Sequence, residues 1–327
     1  MKAILRRAYG GPEALRLEEV PAPTPGPREV LVRVRAASGN AMDAHMLLGR
    51  PALSRLFTGL ARPKDLRAGA DLAGEVAAVG AEVSRFSPGD AVFGVGRGAF
   101  AELVCASEDK LVRKPAALSF EQAAALPVAG STALQGLRDA GNLRSGERVL
   151  VLGAGGGVGG FAVGIAAAMG AEVTAVTRSE HVERVRALGA ARVLDRAQAD
   201  FAADGAFYDL IFDLGGTQSF AALRRLLAPD GRVVAAGIGG LGEPKLGAMA
   251  AWAGRVAAGM LRSRFGRRKL IFTMAAIRPT DLEALAAMME AGTVHPPLTG
   301  RFPLAETPAA MRALLDGRTG GKILILP

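Results

Sequence analysis

The run from Val149 to Gly160, VLVLGAGGGVGG, constrains this chain more than any other stretch. Its apolar opening predicts a buried strand, and the residues that follow lose almost all of their side chains. Glycine at such a place allows a tight turn, lets backbone amides approach a ligand closely, and brings the next helix against the sheet. Amides at the start of that helix carry partial positive charge, so the ligand that suits the bend is a phosphate or pyrophosphate. Two frames of the pattern fit: Gly155, Gly157 and Gly160, or a longer variant on Gly153, Gly156 and Gly159. The candidate cradle is therefore Gly155, Gly156, Gly157, Val158 and Gly159; the alternative is a purely structural strand-to-helix turn. The uncharged window continues to Ala171, long enough to cross a bilayer at roughly 20 residues. It holds eight glycines, which argues for a buried strand, loop and helix in series and against membrane insertion.

The rhythm around this bend predicts the rest of a nucleotide-binding sheet. From about residue 146 apolar strands alternate with helical segments: VLVLG, FAVGIAAAMG, EVTAVT, HVERVRALG, ARVLD, YDLIFDLG, FAALRRLLA and RVVAAGI. Such alternation means a parallel sheet with helices on both faces, the doubly wound Rossmann arrangement. Before it, residues 1 to about 118 read as short β-like runs between Gly/Pro turns, favouring a compact antiparallel barrel or sandwich. Ser119 followed by Gln122 is a capping box that opens a helix, with a break at Pro127. Later come a helix at Asp281–Ala291 and Thr307-Pro308 as N-cap and first-turn proline of another. The last strand, KILIL at 322–326, has no partner nearby in sequence, so it is expected to return to the first domain and make the nucleotide domain an insertion. The expected division is 1–122 with 271–327, and 123–270.

Beyond the second strand stand Thr177, Arg178 and Ser179. A dinucleotide fold that prefers NAD places an acid there for the ribose hydroxyls. This strand end has none, while Arg178 and Ser179 can donate to a 2′-phosphate, so NADPH (NADP+) is the expected cofactor, with a solvated Arg178 as the alternative. Ligands in open sheets gather at the carboxyl ends of strands, which puts Gly237 and Ile238 beside the nicotinamide.

The chain has 40 Lys+Arg against 31 Asp+Glu, a formal +9, which on its own would admit a nucleic-acid or membrane-surface partner. Aromatic residues make up only 5% and no nucleic-acid motif is present, so the basic run Arg262–Lys269 reads as a solvated surface feature. One cysteine excludes an internal disulfide, and three histidines leave metal ligands scarce. The N-terminal MKAILRRAYGG carries no secretory signal, so a cytoplasmic protein is expected.

Nearly end to end, the chain resembles the medium-chain dehydrogenase/reductase superfamily, in particular its zinc-free quinone oxidoreductase branch. The likeness lies in GNAMD (39–43), AGADLAGEVAAVG (68–80), FSPGDAVFGV (86–95), GAFAELV (98–104), LPVAGSTALQGL (126–137), GAGGGVGGFAV (153–163), LGAARVLD (188–195) and GGKILIL (320–326), in that order and spacing. The resemblance implies a Rossmann sheet inserted into a GroES-like β-barrel domain, a homodimer, and a small-molecule substrate. Zinc-dependent relatives have Cys where this chain has Asn40 and Gly-His-Glu where it has Gly69-Ala70-Asp71, so the ligands are replaced and no metal is expected.

Hydride delivery to an electron-poor quinone or enone needs little beyond positioning and a proton. The resemblance implies that Asn40 offers its amide to the substrate oxygen, that Asp43 lies close by, and that Thr132 lies beside the nicotinamide. Asp43 as a helix cap and Thr132 as a helix-interior hydroxyl are the structural alternatives. Lys322 falls in a turn that in the family approaches the cofactor. Rival readings are an NADP-dependent alcohol or aldehyde oxidoreductase of the same fold, and an NADPH-binding protein without turnover.

Overall fold

In the computed structural model, which describes residues 1–198, 205–236, 254 and 266–327, the chain divides into two units. One comprises Met1–Ser131, Ile277–Gly292 and Pro296–Pro327, the other Thr132–Ala276 and Thr293–His295. The first boundary thus falls later than the 122/123 expected from the sequence. Its reason is packing: Gly130 stands so close to Leu285 of the first unit that an added Cβ would lie 3.0 Å from a leucine methyl.

The first unit is built around β3 (Glu29–Gly39), where Val30, Val32 and Val34 are buried and the intervening arginines are exposed, the alternation of a strand with one face on a core. It pairs antiparallel with β4 (Asp71–Val79) and with β6 (Leu103–Ser107). Beyond β4 lie β5 (Ala91–Val95) and β7 (Leu111–Arg113). On the other side β3 is flanked by the terminal β15 (Lys322–Leu326), which pairs parallel with β14 (Leu298–Pro303). The last strand therefore returns to the N-terminal unit as its lack of a local partner predicted. A separate ribbon pairs β1 (Lys2–Arg6) with β2 (Leu15–Glu19).

Helix α1 (Ala41–Leu48) follows β3 directly and stops at Gly49, whose φ of 60° only glycine adopts readily. After α2 (Arg55–Thr58), the predicted capping box opens α3 (Phe120–Ala125): Ser119 Oγ accepts from the Gln122 amide at 3.1 Å, and Gln122 Oε1 accepts from the Ser119 amide at 2.9 Å. Pro127 then begins α4 (Pro127–Gln135). Near the C-terminus α8 (Pro279–Glu290) and α9 (Thr307–Leu315) complete the unit. Thr307 is the first residue of α9 and not its cap: a 3-10 turn runs straight into the helix, and the Thr307 hydroxyl donates back to Leu304 O at 2.7 Å.

The second unit carries β8 (Arg148–Leu152), β9 (Glu172–Thr177), β10 (Arg192–Asp195), β11 (Tyr208–Asp213), β12 (Leu227–Ala235) and β13 (Lys269–Phe272). They form a parallel sheet in the order β10-β9-β8-β11-β12-β13, with α5 (Gly157–Ala168), α6 (Val182–Ala187) and α7 (Phe220–Arg225) as connections. The strand order reverses between β8 and β11, which is where such sheets bind dinucleotides. Arg232 of β12 locks the approach to β8: its guanidinium holds Glu147 at 2.6 and 2.9 Å, Asp209 O and Asn142 O at 3.0 Å each, and also Gly141 O. Replacing it takes a donor from several carbonyls and leaves the mostly buried Glu147 carboxylate with the Arg144 amide in place of its ion pair, so Arg232→Met is expected to lower the unfolding free energy by about 2 kcal/mol. Urea denaturation checks this, and a change under about 0.5 kcal/mol, within the ordinary surface range, would contradict the role given to Arg232.

Candidate active site

The glycine bend and the strand ends beside it form the candidate site of the second unit. Gly153 leaves β8 with φ at 86°, turning the chain, and Gly156 is the exposed N-cap of α5. Gly155 and Gly159 are buried for steric reasons. A Cβ on Gly155 would lie 2.4 Å from Thr177 Oγ1 and 2.8 Å from His181 Cδ2, and one on Gly159 would lie 2.2 Å from Gly153 O. Gly157 and Val158, partly exposed in the first turn of α5, complete an open cradle of backbone amides. The longer frame thus supplies the turn, the cap and the close-packed glycine, and Gly155 clears space for Thr177.

At the end of β9, Arg178 has a side chain 38% exposed and lies 3.8 Å from Glu180. Arg184 of α6 turns inward to donate to Gly155 O at 3.4 Å. His181 is buried beneath the bend, where burial and then the neighbouring Arg184 hold its pKa below the usual range, so the imidazole is neutral. An acid does reach this corner, from the neighbouring strand. Asp195 at the end of β10 pairs in register with Thr177, and the hydrogen bond from Ser179 is the main cause of its lowered pKa. Reading one strand end at a time missed it, because Asp195 and Ser179 meet only through the pairing of β9 with β10. Asp213, also missed, ends β11 and accepts the Gly215 and Gly216 amides at 3.0 Å each, fixing the loop across the switch point. Gly237 and Ile238, expected beside the nicotinamide, lie outside the described residues.

The first unit carries a buried polar cluster of its own. Asn40 caps α1 and is 5% exposed, Asp71 begins β4 and is fully buried, and Lys322 begins β15 and is 1% exposed. Ser38 on β3 pairs in register with Asp71, and Gly39 with Ile323, so strand pairing alone delivers these side chains to one place. Lys322 Nζ donates to Asn40 Oδ1 at 2.7 Å, to Asp71 Oδ2 at 3.1 Å and to Gly39 O at 3.2 Å. Asp71 Oδ2 also accepts from Asn40 Nδ2 at 2.9 Å and from Ser38 Oγ at 3.0 Å, while its Oδ1 takes the Val128 amide at 3.1 Å. Lys322, expected at the cofactor, thus has an acceptor for each of its three ammonium protons inside this cluster.

Asp43 is the third residue of α1, its carboxylate accepting the Asn40 amide at 2.8 Å, so the helix opens earlier than expected and Asn40, not Asp43, is its cap. Burial, and then the like charge of Asp71, push its pKa up to about 7. The structure brings Asn40 and Asp43 together, whereas Thr132 lies in α4 on the second unit, partly buried. Cys105 is an inert thiol, pushed up to about 11 by burial and by Glu29. Among the described residues no group of three or more His, Cys, Asp or Glu side chains is arranged to hold a metal ion.

Two family models match the chain, an alcohol dehydrogenase GroES-like domain over residues 26–116 and a zinc-binding dehydrogenase over residues 188–325. The quinone oxidoreductase of Pseudomonas aeruginosa is 34% identical over 341 residues, covering 100% of this chain and 99% of that protein. The chain belongs to the medium-chain dehydrogenase/reductase superfamily. Among solved structures, the quinone oxidoreductase from Coxiella burnetii superposes with a TM-score of 0.84 at 28% identity, over 100% of this chain and 99% of that one. An NAD-dependent alcohol dehydrogenase superposes with a TM-score of 0.83 at 29% identity, over 100% of both chains. This medium-chain reductase is accordingly an oxidoreductase of the quinone oxidoreductase-like type, with the GroES-like and Rossmann units seen in its fold.

The raised carboxyl of Asp43 has a definite signature in this reductase. Between about pH 4 and pH 7 the native state keeps a proton that the unfolded chain has released, so this group's contribution to stability falls as pH rises through that window and is constant above it. Unfolding free energies measured from pH 4 to 8 should therefore show a downward slope that Asp43→Asn flattens. Equal slopes in the two proteins would refute the assignment.

Proposed function

We propose that this reductase is a zinc-independent enzyme that uses NADPH to reduce quinones or activated, α,β-unsaturated carbonyl compounds. The observation that carries the reading is the bend between β8 and α5, open at Gly156 and closed to any side chain at Gly155 and Gly159. Its amides would hold the pyrophosphate, and Arg178 the 2′-phosphate. A reduced nicotinamide bound there supplies the hydride. The chain's own residues then orient the acceptor: Asn40 donates to the substrate oxygen, and Asp43, with its pKa near neutrality, is the nearest store of a proton. Thr132 and the segment at Gly237 and Ile238 are assigned to the nicotinamide side. Leu56, Phe57 and Leu60, all exposed on the same unit as Asn40, support an apolar substrate.

Zinc independence is supported by the donors at hand. A divalent ion at Asn40 and Asp71 would stand against the Lys322 ammonium, which already occupies the same acceptors. An ammonium and a zinc ion cannot share them, so these residues do not fit the metal that one of the matched family models names. Metal analysis of purified protein is expected to find no stoichiometric zinc, and one ion per chain would overturn this part of the reading.

The choice of NADPH rests on a balance of charges. Arg178 and Arg184 favour the extra phosphate, while Asp195 and Glu180 oppose it. Removing one charge-assisted bond costs about 1.5–3 kcal/mol, so Arg178→Ala should weaken NADPH binding roughly ten- to a hundredfold and leave NADH little changed, while Asp195→Asn should tighten NADPH alone. Fluorescence titration with both coenzymes checks the pair; equal losses for the two coenzymes in Arg178→Ala would favour an NAD-linked alcohol or aldehyde oxidoreductase. We further assign the enzyme to the cytoplasm as a homodimer. Among the described residues no helix is long and apolar enough to cross a membrane.

A further inference from the structure

We propose that Lys322 is a positioning residue that fixes and polarises the Asn40 amide, turning it into a directed hydrogen-bond donor. This rests on the reading above that Asn40 faces the substrate oxygen, and it assigns a task to a buried side chain that acts through that amide.

A lysine is the residue least expected in a protein interior, because its ammonium is strongly hydrated and costly to bury. Here it is 1% exposed, next to an aspartate with no exposure at all. Packing alone would have favoured an apolar residue, since replacing a buried ion pair by well-packed hydrophobic side chains is often neutral or stabilising. The geometry shows what the ion pair adds. Asn40 is gripped at both ends: its Oδ1 takes the ammonium at 2.7 Å, and its Nδ2 gives one proton to Asp71 Oδ2 at 2.9 Å. The cation on Oδ1 draws electron density through the amide and leaves the Nδ2 protons more positive, while the carboxylate holds the nitrogen in place.

Asp71 is itself held by Ser38 Oγ and by the Val128 amide, so the amide plane cannot turn. The second Nδ2 proton has only a long contact, 3.4 Å to Ser38 O. It is the least committed donor in the cluster, and a substrate carbonyl placed opposite it would receive a charge-strengthened bond. No proton leaves Lys322 and no bond breaks in this role. The lysine sets direction and polarity.

The test pairs Lys322→Met with Asp71→Asn, so that no buried carboxylate is left unpaired. The double variant is expected to melt within a few degrees of the parent, to bind NADPH within twofold, and to lose about ten- to a hundredfold in kcat for 1,4-benzoquinone with KM for NADPH unchanged. In the background of Asn40→Ala the same pair should cost almost nothing more, because the lysine acts through that amide. The Asn40 side-chain amide proton, assigned by NMR, should move upfield to the position of a solvated amide. A folded double variant with kcat within twofold of the parent, additive losses with Asn40→Ala, or an unmoved amide resonance would each overturn the proposal. Should the double variant fail to fold, the parent decides: lysine-labelled protein must show a slowly exchanging Lys322 ammonium signal, and its absence refutes the fixed contact. A parent protein that turns over no quinone or enone would sink the reductase reading instead, and the amide resonance would still report on the lysine.

Discussion

The register of β15 on β3 is the constraint from which the first unit takes its form. Ile323 opposite Gly39 puts the preceding lysine against the residue that follows Gly39, and this brings together side chains 282 positions apart. The polar cluster of Asn40 and Asp71 then depends on the contact. Without the ammonium, Asp71 would be a fully buried carboxylate with only neutral donors, and the Asn40 oxygen would have no partner. Inserting a whole domain between the paired strands costs surprisingly little, because loop-closure entropy rises only logarithmically, by about 0.6 kcal/mol for each doubling of the loop. A long insertion is thus compatible with a tight terminal register.

The second unit solves a different problem, that of bending backbone tightly between a strand and a helix. Steric exclusion does this at Gly155 and Gly159, where a single methyl group would collide with Thr177, His181 or the Gly153 carbonyl. The result is a close-packed bend with exposed backbone at Gly156, whose own amide turns back to Gly153 O at 3.1 Å. Charge enters only at the rim, where arginines and acids from β9, β10 and α6 oppose one another. In the proposed reading, affinity for the shared part of a dinucleotide and discrimination at its ribose are therefore separable, one set by backbone shape and the other by a few surface charges.

How far the sequence could be read follows from the range of the interactions. The strand-bend-helix at 148–168, the capping box at Ser119 and Gln122 and the alternation along β3 all rest on neighbours within a few residues, and each is visible as a pattern. The resemblance set Lys322 in a turn near the cofactor, with a plain hairpin-like turn as the alternative; its burial is a property of what β3 and β4 put around it. Asp195 escaped notice as the partner of Ser179, since nothing in a linear reading says which strand lies next to β9. The 3-10 turn that moved Thr307 inside α9 is a local detail too fine for the pattern to carry.

By itself, then, the sequence determined the two fold types, the return of the last strand, and the phosphate-seeking bend, because periodicity and glycine spacing act through steric rules of short range. Only the tertiary structure decided which charges face one another: the ammonium of Lys322 with Asn40 and Asp71, and the carboxylate of Asp195 with Ser179. Those pairings arise from strand register, which joins Lys322 to a residue 282 positions away and brings the end of β10 beside the end of β9. Electrostatics depends on distance and burial in space, and neither is written along the chain.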